Sequence, residues 1–327
     1  MLKISIIGTG AWGTALGMMA HHAGSQVTLI GHNPETVAYL EEHRHMKAFP
    51  RILIPREIEL TTSLESVKTA DMVIIAIPSQ KVRGLLKTLK LLLLDKTILM
   101  IASKGIEQGT GLLMSEVVDE VLGPRPLCIL SGPNFAHEVA EFLPTATTVG
   151  YRGDVDTAKI LKGLSQKNFR VYLNEDIIGV QTAGAIKNVL AIACGIVRAQ
   201  GLGENAVASL IARGLQEISR LGVAKGAQVK TFLGLSGVGD VMLTCGGTHS
   251  RNFKFGLQVG KKNQPLPALD SLDTTVEGVY TAEALHGLAE KLKVEMPISE
   301  MVYKILYERL PVPEAIDLLL SRPPERE

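Results

Sequence analysis

A lysine–asparagine pair lies within one of the most apolar stretches of the chain. Lys187 and Asn188 are surrounded by alanine, isoleucine, valine and leucine in Thr182-Ala-Gly-Ala-Ile-Lys-Asn-Val-Leu-Ala191. Because burial disfavours the ammonium form, we expect the pKa of Lys187 to fall. Such a lysine exchanges a proton with a substrate hydroxyl, while the Asn188 amide orients that hydroxyl by hydrogen bonds. The structural alternative is a lysine that reaches solvent or forms a salt bridge.

Two further charged residues stand in glycine-containing, otherwise apolar surroundings. Lys104 follows a predicted strand, where a cation can fix a substrate or polarise a carbonyl oxygen, although such loops also carry ordinary surface lysines. Asp240 is the only charged residue in Leu235-Ser-Gly-Val-Gly-Asp-Val-Met-Leu-Thr-Cys245. Its carboxylate is expected to bond the lysine or a substrate hydroxyl, and N-capping of the following helix is the structural alternative.

A candidate anion site follows the glycine pair Gly246-Gly247. Ser250 is a predicted helix N-cap, which places Arg251 and Asn252 in the first helical turn. Helix N-terminal amides and an arginine fork together bind phosphate, of either a substrate or a cofactor. The alternative is an ordinary capped helix with a solvated arginine. Glu277 precedes another predicted helix and is uninformative on its own.

The first seventeen residues contain the clearest binding motif. A β-branched run, Lys3–Ile7, predicts a buried strand, and the glycines of G-x-G-x-x-G follow it before a helix start, at Gly8, Gly10 and Gly13. In a dinucleotide site these glycines permit the tight turn, the approach of the pyrophosphate and close helix–strand packing, in that order. The phosphate charge lies at the helix N-terminus. Trp12, the only tryptophan, packs over the cofactor or within the local core.

The second predicted strand bears on the choice of coenzyme. Gln26–Ile30 is followed by Gly31-His32-Asn33, without the acidic residue that bonds the ribose hydroxyls in many NAD sites. That omission leaves room for a 2′-phosphate, and His32 is either its positive partner or a plain loop residue. The sequence therefore leans towards NADPH as the form of NAD(P)H that is used.

Alternating strands and helices predict an α/β Rossmann-type fold with a doubly wound, mostly parallel sheet over residues 1–175. Helical patterns dominate from Asp176 onwards, so residues 176–327 are expected to form an all-α domain. We predict a proline-containing connection over Phe49–Ile58 and a frayed tail after Leu320. The expected roles are NAD(P) binding for 1–175 and substrate binding with catalysis for 176–327.

Composition excludes several functional classes. Lys and Arg number 34 against 33 Asp and Glu, so no overall basic field favours nucleic acid. Three separated cysteines favour reduced thiols in the cytosol and no metal framework. The apolar run Ile177–Val197 contains Gln181, Lys187 and Asn188, which predicts a buried helix and no stable membrane insertion.

In order and spacing, the motifs resemble bacterial-type NAD(P)-dependent glycerol-3-phosphate dehydrogenases. They run along most of the chain: Gly8-Thr-Gly-Ala-Trp-Gly-Thr-Ala15, Ala76-Ile-Pro-Ser79, Ser103-Lys-Gly-Ile106, Ser131-Gly-Pro-Asn-Phe-Ala136, Ala185-Ile-Lys-Asn-Val189, Gly237-Val-Gly-Asp240, Leu243-Thr-Cys245, Ser250-Arg-Asn252 and Val276-Glu-Gly278. The resemblance implies a Rossmann-type N-terminal domain and a helical C-terminal domain, in agreement with the division above.

The resemblance also implies roles for individual residues. Lys187 becomes the proton acceptor in glycerol 3-phosphate oxidation, and Lys104 touches both cofactor and substrate. The other implied substrate contacts are Gly132, Asn134, Asp240, Ser250, Arg251 and Asn252. The implied cofactor contacts are Ala11, Trp12, His32, Ala136, Arg251 and Glu277.

Three residues depart from the family pattern. Asn134 stands where serine or threonine is usual, and His32 stands where arginine is common. Ala11 replaces a frequent serine, which removes a side-chain contact to phosphate and leaves the backbone contacts.

The expected reaction is hydride transfer between NAD(P)(H) and glycerol 3-phosphate or dihydroxyacetone phosphate, with Asn188, Lys104 and Asp240 orienting the reacting oxygen. The resemblance places it in the cytoplasm, supplying phospholipid synthesis. The expected partners are this small-molecule substrate and a second copy of the chain. The alternatives are a β-hydroxyacid dehydrogenase, which shares the glycine turn and a Lys–Asn pair, and a non-catalytic NAD(P) sensor.

Overall fold

The computed structural model describes residues 1–247, 249–263 and 276–323. Contacts divide the chain into two compact units, which we treat separately. The first unit comprises Met1–Lys104 and Met114–Gln181, and the second comprises Gly105–Leu113 and Thr182–Glu327. Of the tail predicted to be frayed, residues 324–327 lie outside the described part.

The first unit is built on a large, mostly parallel sheet. The strands of the described chain are β1 (Lys3–Ile7), β2 (Gln26–Ile30), β3 (His45–Met46), β4 (Phe49–Leu53), β5 (Glu59–Thr61), β6 (Met72–Ile75), β7 (Ile98–Ile101), β8 (Leu127–Ser131), β9 (Thr145–Arg152) and β10 (Phe169–Asn174). Eight of them form the sheet, in the order β10-β9-β8-β7-β6-β1-β2-β5. Only the β8–β9 pair is antiparallel. From β5 to β8 the order is that of a dinucleotide-binding fold, so the predicted α/β Rossmann-type class is confirmed.

Helices separate the strands along the chain of this unit. They are α1 (Ala11–His22), α2 (Pro34–His43), α3 (Val82–Leu89), α4 (Met114–Leu122), α5 (Ala136–Ala140) and α6 (Thr157–Leu164). Every residue of β6, β7 and β8 is buried. Continuous apolar runs of this kind are typical of parallel strands that are covered on both faces.

The prediction of a simple connection over Phe49–Ile58 is wrong. Phe49–Leu53 is strand β4, which pairs with β3 in a separate two-stranded antiparallel ribbon. Pro50 is compatible with this ribbon because both of its strands are edges, where a missing amide donor is tolerated. Strand β5 was also not predicted, since three residues are too few for a recognisable alternation.

The second unit is helical, and no strand is described after Asn174. Its helices are α7 (Ile177–Ala199, which begins in the first unit), α8 (Gly203–Ala224), α9 (Asp240–Cys245), α10 (Arg251–Lys262), α11 (Glu277–Leu292), α12 (Pro297–Tyr307) and α13 (Val312–Leu320). α7 is long and apolar enough to cross a membrane, but 94% of its most apolar window is buried in the protein. This burial is expected of a core helix.

Helices α7 and α10 cross with their backbones in contact, because glycines occupy the crossing point. A Cβ on Gly195 of α7 would lie 2.2 Å from the carbonyl oxygen of Phe253. A Cβ on Gly256 of α10 would lie 2.1 Å from the carbonyl oxygen of Ile192. Both distances are far below van der Waals contact, so only glycine is compatible with this approach.

We therefore expect Gly195→Ala to destabilise the protein by about 2–3 kcal/mol, because the added methyl group meets rigid backbone. The free energy of unfolding is measured by urea denaturation followed by circular dichroism. Gly287→Ala in α11 is the matched control, since a Cβ there has no atom within 4 Å. It should leave stability unchanged or raise it by up to about 1 kcal/mol. Equal effects of the two substitutions would contradict the crossing geometry.

Candidate active site

The glycine turn of the first unit lies where the order of strands reverses. β1 is flanked by β6 and β2, and the turn follows its carboxyl end. Gly8 has a φ of +124°, and a Cβ on it would lie 2.3 Å from the carbonyl oxygen of Ala76, which follows β6. A Cβ on Gly13 would lie 1.9 Å from the carbonyl oxygen of Gly8. These two glycines fix the turn at the edge where open α/β sheets bind ligands.

Gly10 and the start of α1, unlike Gly8 and Gly13, are not enclosed by neighbouring backbone. A Cβ on Gly10 would have no protein atom within 4 Å, so this glycine is not required by packing. No side chain caps α1, which begins at Ala11, and its first turn contains no acidic residue. The amides and the positive end of the helix dipole therefore remain available to an anion. Open space above Gly10 fits a phosphate group that approaches the backbone closely.

Trp12 lies in the first turn of α1 and is partly buried against the sheet core. Its indole Nε1 is buried and has no hydrogen-bond partner in the described part of the chain. His32 is exposed after the carboxyl end of β2. The neighbouring Asn33 side chain accepts hydrogen bonds from the amides of Glu35 and Thr36, which caps α2. The Asn33 side chain is therefore used in capping α2. His32 is the first residue with a side chain after the end of β2.

Several residues expected around the substrate meet at the ends of β7 and β8. Lys104 Nζ donates a hydrogen bond to the carbonyl oxygen of Gly132 at 3.3 Å. Asn134 Nδ2 donates to the carbonyl oxygen of Ala146 at 3.0 Å, while its buried Oδ1 has no partner among the described residues. Ala136 is the first residue of α5. The structure thus brings Lys104, Gly132 and Asn134 to one edge of the sheet.

The second unit contains a buried ion pair. Lys187 Nζ donates to Asp240 Oδ1 and to Thr244 Oγ1, the latter at 2.8 Å. Thr244 Oγ1 in turn donates to Asp240 Oδ1 at 3.4 Å. All three side chains are buried, and Asp240 is fully inaccessible to solvent. The bond expected between Asp240 and the lysine is present, and it is also the salt bridge that was the structural alternative for Lys187. The negative charge of the carboxylate opposes the effect of burial on the ammonium group. The expected fall of the lysine pKa stays a prediction.

The alternative role of Asp240 as an N-cap is wrong. α9 begins at Asp240 itself, and the residue before it, Gly239, is the cap position. The preceding turn, Leu235–Gly239, is a π-helical turn that contains Gly237 in a non-helical conformation. A Cβ on Gly237 would lie 2.0 Å from the carbonyl oxygen of Phe232. The glycines of this motif therefore allow the chain to fold back tightly and to point Asp240 at Lys187.

A second hydrogen-bond chain runs beside the ion pair. Asn252 Nδ2 donates to Asn188 Oδ1 at 2.9 Å, and the amide of Gly278 donates to Asn252 Oδ1 at 2.9 Å. A Cβ on Gly278 would lie 2.6 Å from the carbonyl oxygen of Asn188, so this contact requires glycine. Glu277, the first residue of α11, stands next to this contact. These hydrogen bonds join α7, α10 and α11 through the side chains of Asn188 and Asn252 and the backbone amide of Gly278.

The start of α10 forms as the sequence predicts. The Ser250 hydroxyl accepts a hydrogen bond from the amide of Phe253 at 3.2 Å and caps the helix. Arg251 is exposed in the first turn, without an ion-pair or hydrogen-bond partner among the residues that the structure describes. Asn252, the next residue, contacts Asn188. A cationic helix N-terminus is therefore held one residue away from the network that adjoins Lys187.

The cysteine thiols of both units are buried. All three cysteines are free and buried, as expected for reduced thiols. A hydrogen bond with Cys194, and then burial, raise the pKa of the Cys245 thiol. Burial raises the pKa of Cys128 to about 12. A protonated, inaccessible thiol is a poor nucleophile, so Cys128 and Cys245 are not reactive thiols.

Sequence reasoning missed Thr244. The residue lies four positions after Asp240, and side chains with this spacing share one face of a helix. The Asp-x-x-x-Thr spacing was visible in the sequence. It becomes informative only once α9 is known to begin at Asp240, since the expected N-cap register would have left the aspartate outside the helix. Gly278 was likewise named only as part of a motif.

The first unit has the architecture and the uncapped glycine turn of a dinucleotide-binding domain, and the second holds a buried lysine with a carboxylate partner. These features define the class of NAD(P)-dependent dehydrogenases. The family model for the N-terminus of NAD-dependent glycerol-3-phosphate dehydrogenase matches residues 3–158, and that for its C-terminus matches residues 176–317. The chain belongs to this family.

Individual relatives match the chain over nearly its whole length. The NAD(P)+ glycerol-3-phosphate dehydrogenase of Rhizobium etli is 42% identical over 323 residues, covering 98% of each chain. That of Halalkalibacterium halodurans is 39% identical over 331 residues, covering 100% of this chain and 96% of its own. The crystal structure of glycerol-3-phosphate dehydrogenase from Coxiella burnetii matches with a TM-score of 0.93 at 35% identity, covering 98% of this chain and 99% of its own.

Replacing Thr244 by valine tests the hydroxyl that holds Lys187. Thr244→Val keeps the shape of the side chain but removes a hydrogen bond to a charged group, which contributes about 1.5–3 kcal/mol. We expect kcat for NAD(P)+ reduction with glycerol 3-phosphate to fall about tenfold to a hundredfold. Thr244→Ser retains the hydroxyl and should stay close to the original rate. Equal losses in both variants would exclude this role.

Replacing Gly10 tests the open space at the start of α1. The backbone of Gly10 has a φ of −72°, which alanine adopts without strain, so the melting temperature should not change. We expect Gly10→Ala to raise KM for the cofactor about tenfold or more, because the methyl group occupies the pyrophosphate position. Gly84→Ala in α3 is the control, since its Cβ also meets no atom within 4 Å. An unchanged KM in Gly10→Ala would contradict the assignment.

Proposed function

We propose that the chain catalyses the reversible interconversion of glycerol 3-phosphate and dihydroxyacetone phosphate with NAD(P)(H). The observation that carries this proposal is the link between a buried amine and a cationic helix start. Lys187 is followed by Asn188, which bonds Asn252, and Asn252 is preceded by Arg251. A proton donor and a phosphate anchor are thus held together on neighbouring helices. A small phosphorylated alcohol or ketone is the substrate that uses both.

The first unit is proposed to hold the cofactor. The amides at the start of α1 bind the pyrophosphate, Gly8 and Gly13 maintain the turn, and Ala11 contributes through its backbone. Trp12, His32 and Ala136 complete the contacts on this unit, and Arg251 and Glu277 are proposed to contribute from the second. The unpaired Trp12 Nε1 supports this assignment, because a buried donor without a partner costs free energy that a ligand oxygen would recover.

The second unit is proposed to move the proton. When bound, the nicotinamide supplies or accepts the hydride at C2 of the substrate. In the direction of reduction, Lys187 Nζ donates a proton to the carbonyl oxygen as negative charge develops there. In the direction of oxidation, the same nitrogen accepts the hydroxyl proton. Asp240 and Thr244 fix Nζ so that the proton is presented in one direction, and Asn188 orients the oxygen.

The remaining residues are proposed to bind the substrate away from the reacting carbon. Arg251 and the amides that follow the Ser250 cap hold the phosphate, with Asn252 beside them. Lys104, Gly132 and Asn134 contribute from the first unit. Phosphate binding positions the carbonyl without taking part in the bond changes, so its binding energy reduces the entropic cost of the reaction.

The finer assignments are also proposals. The absence of an acid after β2 and the exposed His32 support a preference for NADPH. Residues 1–175 act as the cofactor domain and residues 176–327 as the substrate and catalytic domain. We further propose a cytoplasmic homodimer that supplies glycerol 3-phosphate for phospholipid synthesis, with no nucleic-acid partner and no stable membrane insertion.

Substitution of Lys187 tests the proton-transfer role. Lys187→Arg keeps a positive charge against Asp240, but a guanidinium does not release its proton in this pH range. We expect kcat to fall about 10²–10⁴-fold while cofactor affinity stays nearly constant. Affinity is measured from the fluorescence of Trp12, the only tryptophan. Lys262→Arg at the end of α10 is the control. Residual activity together with lost cofactor binding would overturn the assignment.

Initial rates with alternative substrates test the reaction itself. Dihydroxyacetone phosphate should be reduced with NADPH and NADH in parallel assays, and a panel of 3-oxo acids should not. Preferential reduction of 3-oxo acids would identify a β-hydroxyacid dehydrogenase. Cofactor binding without a substrate-dependent change in absorbance would identify a non-catalytic NAD(P) sensor.

A further inference from the structure

A buried serine at the carboxyl end of β7 has no role in the proposed function. Ser103 directly precedes Lys104 and is only 9% exposed. Its Oγ donates a hydrogen bond to the carbonyl oxygen of Ile77 at 2.6 Å. Ile77 follows β6, the strand that pairs with β7. The hydroxyl therefore joins two chain segments just past the ends of neighbouring strands of the first unit.

This hydrogen bond continues the pairing of β6 and β7 beyond the sheet. The two strands pair as far as Ile75 and Ile101, and the amide of Ala102 then donates to the carbonyl oxygen of Ile75 at 2.8 Å. Ser103 Oγ lies 3.5 Å from the same oxygen and 2.6 Å from that of Ile77. The shorter contact is the one that fixes the two segments after the strands have ended.

The acceptor side of this hydrogen bond is packed against the glycine turn. The amide of Ala76 donates to the carbonyl oxygen of Ile7 at 2.8 Å. A Cβ on Gly8 would lie 2.3 Å from the Ala76 oxygen and 3.2 Å from Ile77 Cγ2. Because these contacts involve the backbone, residues 76–77 keep a fixed position relative to the turn that is proposed to bind the pyrophosphate.

The donor side of the hydrogen bond carries Lys104. The lysine Nζ bonds the carbonyl oxygen of Gly132 at 3.3 Å, and Thr147 Oγ1 donates to the neighbouring carbonyl oxygen, that of Ser131, at 3.1 Å. A lysine has a flexible four-carbon stem, so the place of its ammonium group depends on where its backbone is held. The Ser103 hydroxyl holds that backbone from one residue away.

We propose that Ser103 is a positioning residue for Lys104, which rests on the cofactor and substrate contacts proposed for that lysine. The hydroxyl fixes the lysine backbone to the segment that packs on the glycine turn. The ammonium group is thereby placed relative to the cofactor before the substrate binds. Ser103 acts through Lys104 and takes no part in the bond changes. A displacement of about 1 Å can lower a rate about a hundredfold, so one hydrogen bond at this point affects the reaction.

The same two strands provide a matched hydrogen bond at their opposite ends. Thr97 precedes β7 and is 3% exposed, and its Oγ1 donates to the carbonyl oxygen of Ala70, shortly before β6, at 3.2 Å. This hydroxyl also links the flanks of β6 and β7, but at the edge of the sheet away from the strand ends where ligands bind. A purely structural role would make the two hydroxyls equivalent. A positioning role makes only Ser103 affect the reaction.

A double-mutant cycle tests the proposal, with kcat/KM for dihydroxyacetone phosphate measured at saturating cofactor. Ser103→Ala should lower kcat/KM about tenfold to a hundredfold. Ser103→Thr keeps the hydroxyl and should recover most of this loss. In the Lys104→Met background, Ser103→Ala should change the remaining kcat/KM by less than about twofold, because the group that it positions is gone. Thr97→Val should lower the melting temperature, as Ser103→Ala does, but keep kcat/KM within about twofold of the original.

Different results would contradict the positioning role and the proposed function. Equal factors of loss for Ser103→Ala in the original and Lys104→Met backgrounds overturn the positioning role, since the hydroxyl would then support the sheet edge in general. An equal loss in Thr97→Val or in Ser103→Thr, or full activity in Ser103→Ala, also overturns it. No reduction of dihydroxyacetone phosphate by the original protein would instead overturn the proposed function, and an unchanged kcat/KM in Lys104→Met would overturn the role proposed for that lysine.

Discussion

The buried pair of Lys187 and Asp240 is the interaction on which the second unit depends. Each charge alone would be strongly unfavourable in this environment, and the pair is stable only while its geometry is maintained. Three neighbouring elements hold the two charged side chains in contact. α7 carries the lysine through the core, the π-helical turn aims the aspartate, and Thr244 supplies a further hydrogen bond. A pair of this kind is weak evidence for stability, and it is compatible with the proton-transfer role that we propose for the lysine.

The first unit follows from local sequence features. The boundaries of β1 and β2 agree with the predicted strands Lys3–Ile7 and Gln26–Ile30. In each strand the four residues after the exposed first position are buried, as in parallel strands that are covered on both faces. The glycine turn could also be predicted, since two of its three glycines are required by backbone contacts under 2.5 Å. The β3–β4 ribbon could not. Its first strand has two residues, and its second contains a proline that normally indicates a loop.

Individual residues of the candidate site could be singled out from the sequence, but the hydrogen bonds between them could not be predicted. Lys187, Asp240 and Arg251 each stand out by charge against apolar or glycine-rich neighbours. The bond from Asn252 to Asn188 joins positions 64 residues apart. Such a contact depends on how α7 and α10 cross, and one sequence contains no record of that crossing. Thr244 shows the same limit on a smaller scale, because its role depends on the residue at which α9 begins.

The glycine crossing of α7 and α10 has a consequence for substrate size. Because main-chain atoms meet directly at Gly195 and Gly256, the spacing between the two helices does not depend on side-chain volume. Core residues elsewhere in the unit can change during evolution without altering that spacing. The distance between the α7 and α10 backbones at this crossing is therefore set by main-chain contact. Under the roles that we propose for Lys187 and the start of α10, this fixed distance favours a substrate of one chain length over longer or shorter homologues.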